Sequence, residues 1–281
     1  MYHSKTYPKR RIISIIGIVI LIVIGVLIAL NNYRIASHFN ISLSKYCIYE
    51  PRGITVDSSG NIYVLGSSKP YGEEDYDVLL LKYNSSGNLL WNRTWDSSEL
   101  DSGKDIISDS IGNIYITGRN ETELILLKYN SSGYLQWSKT WNNSSSNDYA
   151  DRIAMDNLGN IYIMGWSRTC YPLIDIILLK YNSNGNLQWE KKLSDPNNPL
   201  RGEGIATDGL GDIYIVGTNS SSPRKNFILK YNSLGDLLWK RIWANIRSRA
   251  IETDSSGNIY VTGYTTDSQS FILKYNTTGE L

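Results

Sequence analysis

Five cations recur at similar places along this chain, and their type and spacing are what most invite chemistry: Arg52, Lys104, Arg152, Arg201 and Arg249. Each precedes a short apolar segment that ends in an aspartate, at Asp57, Asp109, Asp156, Asp208 and Asp254. Brought to one mouth, they would form a ligand-binding ring for an acidic glycan, a carboxylate or a phosphate, because guanidinium and ammonium groups give charge-assisted hydrogen bonds to oxyanions. Asp105, Asp151 and Glu203 stand beside three of them, so local surface ion pairing is the competing expectation. No catalytic residue is expected. His3 and His38 are the only histidines, both outside the repeats, and no repeated position breaks pattern to set an isolated acid beside a base. The five aspartates suit turn capping rather than calcium, since each turn lacks the alternating acidic ligands of a calcium loop. Cys47 and Cys170 have no companion ligands at metal-binding spacing, so no metal site is expected. A bridge between them needs α-carbons within about 7 Å, and two blades separate their attachment points.

The aspartates open a repeated motif, Asp-x-x-Gly-(Asn/Asp)-Ile-Tyr, whose glycines Gly60, Gly112, Gly159, Gly211 and Gly257 lie 52, 47, 52 and 46 residues apart. A second motif, Leu-Lys-Tyr-Asn, follows each with Lys82, Lys128, Lys180, Lys230 and Lys274. A Gly-containing turn comes next and then, in four copies, Trp91, Trp137, Trp189 or Trp239. The apolar runs are short, β-branched and bounded by Asn, Ser, Asp or Gly, which predicts an all-β fold. Each copy reads as four strands. The first ends at the motif aspartate, and the second, such as residues 61–64, turns Ile and Val to one face and Tyr to the other. The third, residues 78–83 in the first copy, is apolar enough to be covered on both faces. In the fourth, Trp91 and Trp95 share one side. Such a sheet cannot bury both faces alone, so the copies are expected to stack into a β-propeller of about five four-stranded blades. The Trp and Tyr stripes then serve packing between blades.

Residues 148–165, DYADRIAMDNLGNIYIMG, resemble the SBBP-type β-propeller repeat, a family found on exported prokaryotic proteins. The similarity runs over residues 52–281. It implies the fold and says almost nothing of function. The turn at residues 84–91, with Gly87 four residues before Trp91, is also similar to the Gly-x-x-x-Trp docking element of quinoprotein propellers. That family's adjacent-cysteine pair is not present in this chain, and no cofactor is expected.

Within a blade the A–B and C–D turns are of nearly constant length and must share one face. The B–C and D–A loops share the other and carry the length variation: residues 67–76 form a long loop and 119–122 a short one. Variable loops on a rigid scaffold are the expected recognition face. Arg168, Cys170 and Tyr171, and residues 73–75, are read there as outward loop residues.

Ahead of the repeats, residues 12–30 carry no charge. As a helix they would span roughly 28 Å, the thickness of a bilayer's hydrocarbon core. Lys5, Lys9, Arg10 and Arg11 precede them, which predicts a cytoplasmic tail at 1–11, one transmembrane signal-anchor helix at 12–30, a juxtamembrane linker at 31–38 and an extracellular propeller at 39–281. Without those four cations, 24 basic residues face 27 acidic ones, which does not suggest nucleic-acid binding. Nine Asn-x-Ser/Thr sequons fit an exported glycoprotein. The fifth copy reaches Leu281 where its fourth strand is due, and residues 39–43 are expected to pair there and close the ring. These features predict a noncatalytic, membrane-anchored cell-surface module that binds a protein or glycan partner through its loop face. The alternatives are a carbohydrate-active lyase or hydrolase with its site at the channel mouth, and a structural spacer without specific ligand.

Overall fold

A computed structural model describes residues 48–69, 75–97, 100–143, 147–170, 173–220 and 225–281. The described chain is all-β, in five antiparallel sheets that follow one another in sequence. Blade 1 comprises β1 (Ile48–Val56), β2 (Ile62–Ser68), β3 (Asp77–Tyr83) and β4 (Leu89–Trp95). Blade 2 comprises β5 (Asp101–Ser108), β6 (Ile114–Asn120), β7 (Glu123–Tyr129) and β8 (Leu135–Trp141). In blade 3 the strands are β9 (Asp148–Met155), β10 (Ile161–Cys170), β11 (Leu173–Tyr181) and β12 (Leu187–Leu193). Blade 4 holds β13 (Leu200–Thr207), β14 (Ile213–Asn219), β15 (Lys225–Tyr231) and β16 (Leu237–Ala244). Blade 5 has three strands, β17 (Ile246–Thr253), β18 (Ile259–Thr265) and β19 (Ser270–Tyr275).

The second strand of each blade explains the stacking. Ile114 and Ile116 face blade 1 and pack with Tyr63, Leu65 and Leu80. Tyr115, between them, points the other way into the core shared with Ile153, Ile161 and Ile163 of blade 3. The alternation of a strand thus places each blade in two cores at once. Equivalent cores join blade 3 to 4 and blade 4 to 5. The paired tryptophans lie where their four-residue spacing predicts, Trp91 and Trp95 against one core and Trp137 and Trp141 against the next.

Both sequence motifs have structural work. Asp57 Oδ1 accepts from the backbone N–H of Ser59 and Asn61, each at 2.9 Å, while its Oδ2 accepts from Asn61 Nδ2 and from the Tyr63 hydroxyl at 3.0 Å. The same tyrosine-to-aspartate bond recurs at Tyr115, Tyr162, Tyr214 and Tyr260. Turn and core are therefore fixed by one carboxylate. The second motif reaches sideways: Lys82 Nζ donates to the Ser131 carbonyl of the next blade at 2.8 Å, and Lys128, Lys180 and Lys230 donate likewise to Ser183, Ser233 and Thr277. Each of these ammonium groups also lies over the motif tyrosine of its own blade, at 5.0–5.3 Å from the ring centre, a favourable cation–π distance.

Three features differ from the sequence reading. The first strand of a blade is longer than a stub before the turn, running from Asp101 to Ser108 in blade 2. Strand β10 continues to Cys170, which pairs with Leu173, so Arg168 and Cys170 stand in a strand rather than a loop. The third concerns the two end blades. Ile272 of β19 is 73% exposed, whereas its register equivalents Leu80, Leu126, Leu178 and Ile228 are all buried. On blade 1, Ile54 is 37% exposed while Ile106, Ile153, Ile205 and Ile251 are buried. No described core joins blade 5 to blade 1. The expected anchor at 12–30, the tail and linker, the closing strand at 39–43 and Cys47 all lie outside the described residues. Among the described residues no helix is long and apolar enough to cross a membrane.

Candidate functional site at the loop-face mouth

The innermost strands β1, β5, β9, β13 and β17 adjoin in chain order, and each carries a bulge near its loop-face end. Opposite one glycine of the second strand, the first strand holds an extra residue. Lys104 is skipped between the pairs Gly103–Gly118 and Asp105–Thr117. Asp151, Glu203 and Arg249 are skipped in the same way in blades 3, 4 and 5. In blade 1 the irregularity is wider, spanning the residues between Tyr49 and Gly53, with Arg52 its last member. The cause is steric. A Cβ at Gly118 would stand 2.1 Å from the Ser102 carbonyl oxygen, and Gly165, Gly217 and Gly263 meet their first strands at 2.0–2.4 Å. Only glycine lets the strands approach closely enough for the bulge to form.

The register therefore defines one equivalent bulge position per blade: Arg52, Lys104, Asp151, Glu203 and Arg249. Each stands five residues before its motif aspartate. Three of the five sequence-predicted cations, Arg52, Lys104 and Arg249, occupy it. Arg152 lies one residue further along, opposite Met164, and Arg201 two residues earlier, opposite Thr218. Where the ring was expected to be uniformly cationic, blades 3 and 4 contribute carboxylates.

Its charges sort into two halves. On the blade 4–5 side Glu203 is buried, with Arg201 Nε and Arg247 Nη2 at 3.8 and 3.9 Å from Oε1 and Arg249 Nη1 at 3.6 Å from Oε2. These are ion-pair distances too long for hydrogen bonds, and Glu203 Oε1 and Arg247 Nε have no hydrogen-bond partner among the described residues. Arg249 also donates from Nη2 to the Tyr264 hydroxyl at 3.2 Å.

On the blade 1–2 side, Arg52 pairs with Glu50, but Lys104 has no ion pair or hydrogen bond among the described residues. Burial pulls the Lys104 pKa below its ordinary value, and the nearby Arg52 and Arg119 guanidiniums push it the same way. Arg119 is held by stacking: its guanidinium lies 4.8 Å from the Tyr149 ring centre, Tyr149 lies 4.4 Å from Trp166, and the Arg168 guanidinium lies 5.9 Å from the Trp166 ring centre. Arg119 Nε is buried and has no hydrogen-bond partner among the described residues. Across from these cations, burial raises the pKa of Asp151, and Arg152, Lys104 and Arg201 only partly oppose it. Burial raises Asp105 too, although its carboxylate accepts the Ile153 and Ile106 backbone N–H groups at 3.1 and 3.0 Å. Among the described residues no group of three or more His, Cys, Asp or Glu is placed to hold a metal ion.

Reading from types alone missed Arg119, Tyr149, Trp166 and Tyr264. Arg119, Trp166 and Tyr264 each follow the second-strand glycine directly, at a position that is Ser67 in blade 1 and Thr218 in blade 4. An otherwise repetitive strand changes residue type there, and that was the available signal.

Inner-strand bulges, turn-capping aspartates and face-to-face four-stranded sheets in chain order define the blades of a β-propeller. The model of the SBBP β-propeller repeat matches residues 48–69 and 240–269, in the first and in the fourth and fifth blades. Among curated proteins there is no sequence match. Solved structures that resemble the chain include the Dos1 propeller, at 9% identity over 83% of this chain and 58% of that one, with a TM-score of 0.54. Others are a luciferin-regenerating enzyme (16% identity, 84% and 75% of the two chains, TM-score 0.48) and a gluconolactonase from Xanthomonas campestris (14% identity, 76% and 69%, TM-score 0.45).

Proposed function

We propose that this chain is a noncatalytic recognition module that binds a glycan or protein partner at the loop-face mouth of its propeller. The observation that carries the reading is the contrast between the two ends of the blades. Turn-face positions repeat from blade to blade, with the same aspartate bonds in all five blades and the same lysine bond in four. Mouth positions change residue type among the blades, and they gather Lys104 with Arg119, Glu203 and Arg247, whose Nε, Oε1 and Nε atoms are buried without a hydrogen-bond partner among the described residues. Unsatisfied buried polar groups at one locus are costly to a structure unless a ligand or solvent completes them.

Residues 12–30 would hold the module at the cell membrane as a single-pass anchor with the tail at 1–11 cytoplasmic and the propeller extracellular, on the grounds of length and flanking charge. The test is a glycan array probed with the full chain. Binding abolished by Arg168→Ala with Arg249→Ala, and kept by the turn-face pair Leu158→Ser with Leu210→Ser, supports the reading; binding equally sensitive to the turn-face pair refutes it. A second reading, acid–base cleavage of a polysaccharide, is favoured by Asp105 and Asp151, whose carboxyls burial holds toward the protonated form. Polymer turnover that vanishes in Asp151→Asn would replace the first reading with this one.

A further inference from the structure

We infer that the blade 1–2 half of the mouth is a subsite for a sugar acid, in which Lys104 and Arg119 receive the carboxylate of a uronic acid unit and Asp151 accepts a hydroxyl of the same ring. This rests on the recognition reading and names the ligand chemistry of that site. The two halves of the mouth are not equivalent. The three arginines of blades 4 and 5 already face the buried Glu203. Among the described residues Lys104 and Arg119 form no ion pair; burial depresses the Lys104 pKa, the Arg52 and Arg119 charges add to this, and Asp151 and Glu50 only partly oppose it. An arriving oxyanion relieves that repulsion and adds charge-assisted hydrogen bonds, one of them to the Arg119 guanidinium held against Tyr149. The stack of Tyr149, Trp166 and Arg168 restrains Arg119 before any ligand arrives.

The neighbouring acid narrows the ligand. Asp151 lies close enough to Lys104 for the two to affect each other's titration. An acidic peptide would bring its carboxylates against Asp151 with few hydroxyls to donate. A uronic acid unit carries one carboxylate and several hydroxyl donors on a single rigid ring, so it meets cations and carboxylate together. The residues that would do this sit on strands β5, β6 and β9.

The experiment is equilibrium binding of a short oligogalacturonate to the full chain at low and moderate salt, beside its methyl ester and poly-glutamate. The expected result is that the acid binds, the ester and poly-glutamate bind at least ~10-fold more weakly, and Lys104→Gln and Arg119→Ala each cost about 10-fold, as loss of one charge-assisted bond implies. Tyr149→Ala should weaken binding through Arg119 while Tyr149→Phe keeps it. Circular dichroism establishes that each variant is folded, and Leu158→Ser serves as the distant control. Equal binding of acid and ester, tighter binding of poly-glutamate, or survival of binding in both cation variants overturns the inference. Absence of oligogalacturonate binding overturns it as well, whereas a neutral glycan captured through loop-face residues on the array would leave the recognition reading standing without it.

Discussion

Gly118→Ala tests whether the second-strand glycine builds the mouth. The added Cβ would stand 2.1 Å from the Ser102 carbonyl oxygen and 3.0 Å from Gly103 Cα, and both neighbours are backbone, so neither can rotate aside. Ordinary carbon contacts lie near 3.5–4.0 Å, and strands β5 and β6 must therefore separate by more than an ångström where the Lys104 bulge forms. Overpacking of this kind costs about 1–3 kcal/mol; rigid neighbours on both counts place Gly118→Ala in the upper part, about 2–3 kcal/mol. For a domain of this size that lowers the melting temperature by roughly 4–10 °C. Gly209→Ala is the matched control, because its Cβ would meet only the Asn157 amide nitrogen at 3.4 Å, at the end of a side chain, and should change stability by less than about 0.5 kcal/mol. Thermal and denaturant unfolding of the two variants, followed by tryptophan fluorescence, measures the difference. Equal midpoints for the two would refute the account of how the bulge arises, and with it the reason for placing Lys104 at the mouth.

Other perturbations separate turn, charge and surface. Tyr162→Phe removes one hydrogen bond to Asp156 and should cost about 1 kcal/mol, whereas Asp156→Ala also strips the Leu158 and Asn160 amides and should cost about 3 kcal/mol or more by urea denaturation. Because burial raises the folded-state pKa of Asp151, its contribution to stability is present below the unfolded value near 4 and is lost as pH rises through the folded value. Asp151→Asn should accordingly be more stable than the parent at pH 7 and indistinguishable from it near pH 3, and a gain confined to acid pH would contradict the sign. Ile272→Ser should be nearly neutral because Ile272 is exposed, while Ile228→Ser at the equivalent buried place should cost about 3 kcal/mol; comparable losses at both would mean that another surface covers blade 5.

The fold was legible because the residues that build it repeat chemically. Ile62, Tyr63 and Val64 have counterparts in every blade, and so do Asp57 and Lys82; the aspartate makes the same tyrosine bond in all five and the lysine reaches the next blade in the first four. The mouth was legible only in outline, and the reason lies in the bulge. A residue skipped by the ladder has no cross-strand partner that demands a particular side chain, so Arg52, Lys104, Asp151, Glu203 and Arg249 share a position while their charge changes sign between blades. Searching for like charges found three of them and passed over Asp151 and Glu203 to the nearest arginines, Arg152 and Arg201. Counting five residues back from each motif aspartate would have found all five, because the turn sets the register whatever the side chain. The same freedom explains why the positions after the second-strand glycine vary between Ser67, Arg119, Trp166, Thr218 and Tyr264. Packing constrains the blades at their turn ends and releases them at the mouth, so differences between blades mark the surface where specificity can be built without weakening a core.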